Sequence, residues 1–272
     1  MNENLISVRV WGDYACFTRP EMKVERVSYP IMTPSAARGI LEAIFWKPQM
    51  FYLIDSIRVV KKGVWTSFRR NEITKRISLS QAKSAMAGTG DISTIKAGGG
   101  AEDATQRNML ALQDVEYIIT AEICLSDLGK HQGEVLPKYK EEIRRRVESG
   151  KCFHRPSLGV REFSADFDWV ENPHDFAPKM DWKEENLGLI LYDVFSHKER
   201  AVGFKFLDGE DYANDYVPLF ATEISKKKTG KPLTDGLLVK PSASFFRAEI
   251  KDNVMDCHPS RIEIIHNKGG VS

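Results

Sequence analysis

The chain has 272 residues, 42% hydrophobic and 28% charged, with a formal net charge of +1, which suits a soluble globular protein of one large domain or two smaller ones. No apolar run approaches the ~20 residues of a membrane span, and the start, MNENLISVRVWGDY, lacks the basic stretch, apolar run and cleavage site of a secretory signal, so the expectation is a cytoplasmic protein with no membrane partner. Cys16, Cys124, Cys152 and Cys257 are scattered singly with no CxxC pair, which argues against a zinc site or redox motif, and the near-zero charge balance by itself points to no nucleic acid.

Taken in order, the chain opens with an alternating stretch, Leu5 to Phe17. Ile6, Val8 and Val10 share one face, and Ser7, Arg9 and Trp11 share the other, which predicts a strand. An aromatic and a basic residue on an open sheet face can stack a base and hold a phosphate; the plainer alternative is that Trp11 packs under a loop. Residues 18–33 read as a loop with a short extended piece around Lys23 to Tyr29. Thr33 as cap, Pro34 in the first turn, and Ala36, Ala37, Ile40, Leu41, Ile44 and Phe45 at helical spacing predict the first helix, stopped by Pro48. Phe51 to Val60 reads as a second strand.

Residues 61–106 have a different texture. Arg58, Lys61, Lys62, Arg69, Arg70, Lys75 and Arg76 oppose only Glu72, and glycines gather at Gly88, Gly90, Gly98, Gly99 and Gly100. This reads as a mobile basic insertion, about 61–108, that closes on nucleic acid or is simply a loop. GTGDISTIKAGGG lacks the GxxxxGK[ST] pattern of a phosphate loop. Met109 to Leu125 predicts a third strand, strongest from Val115 to Cys124.

Residues 136–163, LPKYKEEIRRRVESGKCFHRPSLGVREF, organise the rest. Pro137 suits a helix start and Gly150 its end, while Tyr139, Ile143 and Val147 supply an apolar face. Lys138, Lys140, Arg144, Arg145, Arg146, Lys151, Arg155 and Arg161 outnumber Glu141, Glu142, Glu148 and Glu162, so a nearly neutral chain is locally positive, as a polyanion-binding surface is. A solvated helix face is the alternative. Val160 to Trp169 predicts a fourth strand. The resulting order is that of an α+β, ferredoxin-like (RNA-recognition-motif type) βαββαβ sheet over residues 1–170.

Beyond Trp169 lies an acidic linker, with Asp166, Asp168, Glu171, Asp175, Asp181, Glu184 and Glu185 around Pro173 and Pro178. Leu187–Phe195, Ala201–Leu207, Tyr216–Ile224, Gly236–Val239 and Ser244–Ile250 read as short strands of a smaller antiparallel β-sheet domain, 171–272. Lys226, Lys227 and Lys228 read as a solvated turn, and His258 and His266 are too isolated for a metal site. No cofactor is expected.

The stretch VRVWGDYACFTRPEMKVERVSYPIMTPSAARGILEAIFWKP, and later the basic helix, Gly150 and LGVREFSADF, resemble the CRISPR-associated Cas-five family, Dvulg subtype (type I-C). The resemblance spans roughly Val8 to Phe167 and holds only loosely beyond. It implies a ferredoxin-like (RAMP-type) domain with a smaller β-sheet domain. It also implies metal-independent cleavage of precursor CRISPR RNA beside its repeat stem-loop. The protein would then stay on the guide's 5′ handle in the type I-C Cascade complex, alongside the backbone and large subunits. The family's helix tyrosine just before WKP corresponds to Phe45, and its Lys-His pair to Lys138 and Tyr139, so only the lysine is retained; Lys130-His131 upstream is a second source of an imidazole. Lys138 is therefore the expected charge stabiliser, Tyr139 or His131 the proton-transfer group, and Phe45 a residue that packs or wedges a nucleotide. Arg38, Lys47, Arg69, Arg70, Arg144, Arg145, Arg155 and Arg161 are the expected RNA contacts. The alternatives are a non-catalytic subunit holding the 5′ handle, and a DNA-directed activity on the same basic surface, which no paired-carboxylate metal site supports.

Overall fold

Alternation and capping produce the first elements as expected. The computed structural model describes residues 4–75, 77–91, 94–179, 182–195, 201 and 242–266, with the strand backbone of 204–206 and 216–218. Its strands are β1 Leu5–Ala15, β2 Arg26–Val27, β3 Met50–Lys61, β4 Val64–Ile73, β5 Ala104–Leu125, β6 Asp166–Trp169, β7 Glu184–Asp193, β8 Phe204–Phe206, β9 Tyr216–Pro218, β10 Ser244–Lys251, β11 Val254–Asp256 and β12 Ile264–His266. Its α-helices are α1 Pro34–Ile44, α2 Leu79–Met86, α3 Asp127–His131 and α4 Leu136–Glu148. The expected strand Gly236–Val239, most of Tyr216–Ile224, Lys226, Lys227, Lys228, Arg76 and Asp181 lie outside the described residues.

The architecture is a mostly antiparallel sheet with few helices. Among the described residues ten strands form one sheet, whose main path runs β12-β10-β11-β3-β5-β1-β6. β1 pairs antiparallel with β5 and with β6, and β3 pairs antiparallel with β5. β11 pairs with β3, Val254 opposite Arg58, so strands from the C-terminal region continue the same sheet. Ile6, Val8 and Val10 of β1 share a single core with Ala37, Ile40, Leu41 and Ile44 of α1 and Tyr139, Ile143 and Val147 of α4. Each such buried aliphatic side chain contributes roughly 1.5–3 kcal/mol, and this shared core holds the two helices side by side.

The ends of α1 set up the site. The Thr33 hydroxyl accepts from the Ala36 N–H at 3.2 Å, satisfying one of the orphan donors of the first turn. The helix stops at Ile44, with Phe45 extended, short of the expected stop at Pro48. The cause is tertiary. The N–H groups of Phe153 and His154 both reach the Ala43 carbonyl at 2.9 Å, and the Tyr52 hydroxyl donates to the Phe45 carbonyl at 2.8 Å. Helix α4 ends in a Schellman turn. The Lys151 N–H bonds the Arg146 carbonyl at 2.8 Å and the Gly150 N–H bonds Val147 at 3.0 Å, with Gly150 at φ +64°.

Two segments depart from expectation. Residues 64–73, read as part of a mobile insertion, form a regular strand paired from Val64↔Gln113 to Ile73↔Ala104, and β5 starts at Ala104 instead of Met109. One face of this ribbon, Phe68 with Met109 and Ala111, is covered by Cys16, Val160 and Phe163, a cover contributed by distant sequence. The fourth strand is shorter than expected, Asp166–Trp169, because residues 157–164 form a loop folded onto the end of β1. The Cys16 N–H donates to the Leu158 carbonyl at 2.9 Å. Gly159 has φ +92°, and a Cβ there would lie 2.0 Å from the Cys16 carbonyl oxygen. Gly159→Ala is expected to lower stability by at least ~1–2 kcal/mol from the left-handed backbone alone, read as a lower denaturant midpoint; an unchanged midpoint would show that the loop has room to move.

Candidate nucleic-acid interface

The first turn of α4 brings together a compact polar group. Lys138 projects into solvent, and its Nζ donates to Glu134 Oε2 at 2.7 Å. The Tyr139 hydroxyl bonds the same carboxylate, and Lys138 Nζ lies 5.4 Å from the centre of the Tyr139 ring. Glu134, unremarked among the polar residues before the helix, is thus the group that joins the two nominated side chains. Sequence reasoning passed over it because a lone glutamate four residues before a lysine reads as an ordinary helix-type ion pair. The bond to the Lys138 ammonium holds the Glu134 carboxyl below its ordinary 4.5. Burial, and then the bond to Glu134, push the Tyr139 phenol up to about 12. At neutral pH the set is therefore an ammonium, a carboxylate and a neutral phenol.

Tyr139 and Phe45 are both buried, 3% and 4% exposed, with ring centres 6.3 Å apart. The Arg146 guanidinium lies 5.2 Å from the Phe45 ring centre. Phe45 is a core residue here, enclosed by α1 and α4, and offers no free ring face for wedging a nucleotide. His131 sits exposed at the last position of α3.

The excess of positive charge legible in residues 136–163 is largely compensated in three dimensions. Arg144 pairs with Glu148 at 2.9 Å and also with Glu171. Arg145 and Arg146 each reach Glu142 at 2.8 Å. Arg155 pairs with Asp166 at 2.8 Å and Arg70 with Glu162. The acidic linker beyond β6 supplies Glu171 against α4. Arg38 is committed most deeply: its Nε and Nη2 grip the two Asp193 oxygens at 2.8 and 3.0 Å, its Nη1 bonds Glu42, and its side chain is 11% exposed. A phosphate reaching Arg38 would have to displace a buried carboxylate. Lys47, Arg69 and Arg161, and likewise Lys151, are exposed and have no ion-pair partner among the described residues.

Two concave surfaces accompany these cations. A groove of about 380 Å³ follows α1, with Ser35, Gly39 and Ala43 on one wall and Arg155, Ser157 and Gly159 on the other. A larger cleft of about 1020 Å³ is lined by Arg58, Lys140, Arg144, Trp169 and His174 among others. Among the described residues no group of three or more His, Cys, Asp or Glu is placed to hold a metal ion, and no helix is long and apolar enough to cross a membrane.

A family model described as "CRISPR-associated protein (Cas_Cas5)", the Cas5d type, matches residues 5–257. A protein of Mannheimia succiniciproducens named CRISPR pre-crRNA endoribonuclease Cas5d is 40% identical over 231 residues, covering 82% of this chain and 99% of that one. A protein of the same name from Thermus thermophilus is 42% identical over 190 residues, covering 70% of this chain and 72% of its own. A crystal structure of a CRISPR-associated protein superposes with a TM-score of 0.55 at 17% identity, covering 93% of this chain and 90% of that one, a likeness of fold.

Proposed function

The chain belongs to the Cas5d family of CRISPR-associated proteins, and from that premise we propose that it cleaves precursor CRISPR RNA in the repeat without a metal ion. We propose further that it then keeps the 5′ handle as a subunit of a type I-C Cascade complex. The strand order β3-β5-β1-β6, antiparallel throughout and backed by α1 and α4, supports a ferredoxin-like βαββαβ reading of residues 1–170, with the β4–β5 ribbon as its insertion. Residues 171–272 are then a smaller unit continuing the sheet.

The observation that carries the catalytic reading is the Lys138–Glu134 pair at 2.7 Å on an exposed helix start. RNA brings its own nucleophile. The 2′-oxygen forms a bond to the adjacent phosphorus as the bond from phosphorus to the 5′-oxygen breaks, leaving a cyclic phosphate and a 5′-hydroxyl. Glu134 takes the proton of the 2′-OH. The Lys138 ammonium, reinforced by the positive end of α4, stabilises the charge building on phosphorus and donates a proton to the departing 5′-oxygen. A proton passing from Glu134 to Lys138 along their hydrogen bond restores both groups. Tyr139, buried, acts on substrate only through Glu134, as a positioning residue. Lys47, Arg69, Arg161 and Lys151, exposed and without an ion-pair partner among the described residues, are cations available to phosphates, and the paired arginines contribute only by exchanging a carboxylate for RNA. Such contacts make binding steeply salt-dependent.

Incubation of repeat RNA with the protein in EDTA is expected to yield one discrete cut, and intact RNA at large enzyme excess would overturn the catalytic reading. A non-catalytic handle-binding subunit is the second reading. It is favoured by the buried, hydroxyl-free Phe45 and the phenol of Tyr139 held near 12, and RNA bound but uncut in the same assay would establish it.

A further inference from the structure

We propose that Phe153 is a stacking platform for an unpaired base of the bound RNA, a site that rests on the RNA-binding reading above and adds a specific contact to it. Phe153 is 75% exposed, whereas Trp65, another exposed aromatic, is 44% exposed. Its exposure is built into the fold. The Phe153 N–H is shared between the Ala43 carbonyl at 2.9 Å and the Ile44 carbonyl at 3.3 Å, and the His154 N–H also bonds Ala43. The backbone at this point is therefore consumed in closing the C-terminal end of α1, and the ring is left standing in solvent. The His154 ring packs against it at a steep angle, with centres 4.5 Å apart at 71°, which buttresses the Phe153 ring while most of its surface stays open to solvent.

The surroundings select the ligand. Lys151 lies two residues before Phe153 and Lys47 three residues after Ile44, both exposed and without an ion-pair partner among the described residues. Arg155 follows two residues later and lines the groove along α1 that reaches Ala43. An exposed aromatic ring whose backbone is bonded to Ala43 of that groove, with Lys151 and Arg155 two residues to either side of it in the chain, fits a base whose phosphates are met by neighbouring cations. Stacking of this kind is sequence-tolerant, because every base has a π-face.

The test uses the full-length protein and the fluorescein-labelled single-stranded repeat RNA of the cleavage assay, read by anisotropy, with a blunt RNA duplex as control. Phe153→Ala is expected to weaken single-strand binding about 5- to 150-fold, the range set by removing one stacked base. Phe153→Trp is expected to restore it, with duplex binding, salt slope and thermal midpoint unchanged. Wild-type affinity in Phe153→Ala, or failure of Phe153→Trp to restore a lost affinity, would overturn the proposal. So would a Phe153→Ala protein that binds RNA normally but no longer assembles with the other complex subunits, since that assigns the ring to a protein partner. If the wild type binds no repeat RNA at all, the function proposed above fails with it; if the wild type binds and Phe153→Ala matches it, only the platform fails.

Discussion

Lys138→Ala is expected to slow cleavage of repeat RNA by about 100- to 1,000-fold, the usual cost of removing one donor aimed at developing charge, while RNA affinity changes only a few-fold. The side chain is 60% exposed, and its ion pair among the described residues is with Glu134, so the variant should fold normally. Lys138→Arg separates two roles. A guanidinium keeps the charge but stays protonated far above neutral pH and does not release a proton, so partial activity is expected if charge matters most and near-complete loss if proton delivery does. The pH profile is a second check. The Lys138 ammonium holds the Glu134 carboxyl below 4.5, so Glu134 is ionised across pH 6–8 and the rate should show no acid-side inflection there. An imidazole base, with an ordinary pKa near 6.5, would lose activity as pH falls through that window. An inflection near 6.5 that disappears in His131→Ala would move proton transfer to His131. Full activity in Lys138→Ala would remove the α4 start from the mechanism.

Arg38→Ala is expected to act on stability and not on RNA contact. Removing the guanidinium takes the two-point partner from Asp193, 9% exposed, and breaking a buried pair from one side costs roughly 3–5 kcal/mol. The effect should be a large drop in denaturant midpoint, because the pair ties α1 to the end of β7. Asp193 also accepts from the Val194 N–H at 2.6 Å, so it does not become silent when its partner leaves. Arg38→Met with Asp193→Asn should recover much of the loss, since neither member of the Arg38–Asp193 pair is then charged, and a double-mutant cycle measures the coupling. A normal midpoint together with a tenfold loss of RNA affinity would reverse this reading and return Arg38 to the RNA surface.

The reach of sequence reasoning followed the range of the interactions. Thr33 and Pro34 announced the start of α1, Gly150 the end of α4, and the Ile6, Val8, Val10 alternation the inward face of β1, because caps and side-chain periods act within a few residues. The family likeness was legible for the same reason, in an uninterrupted stretch from Val8 to Pro48. The β4–β5 ribbon was not legible. Val64, Trp65, Phe68 and Ile73 do not alternate, and the cover over Phe68 comes from Val160 and Phe163.

By itself, then, the sequence determined the two helices, the principal strands and the family. Only the tertiary structure decided which charges are spent. Arg38 is neutralised by Asp193, Arg144 by Glu171 and Arg70 by Glu162, all partners far away along the chain. A count of lysines and arginines sums charge along the backbone, whereas a phosphate meets the field in space, where a carboxylate within 3 Å cancels most of what the count promised.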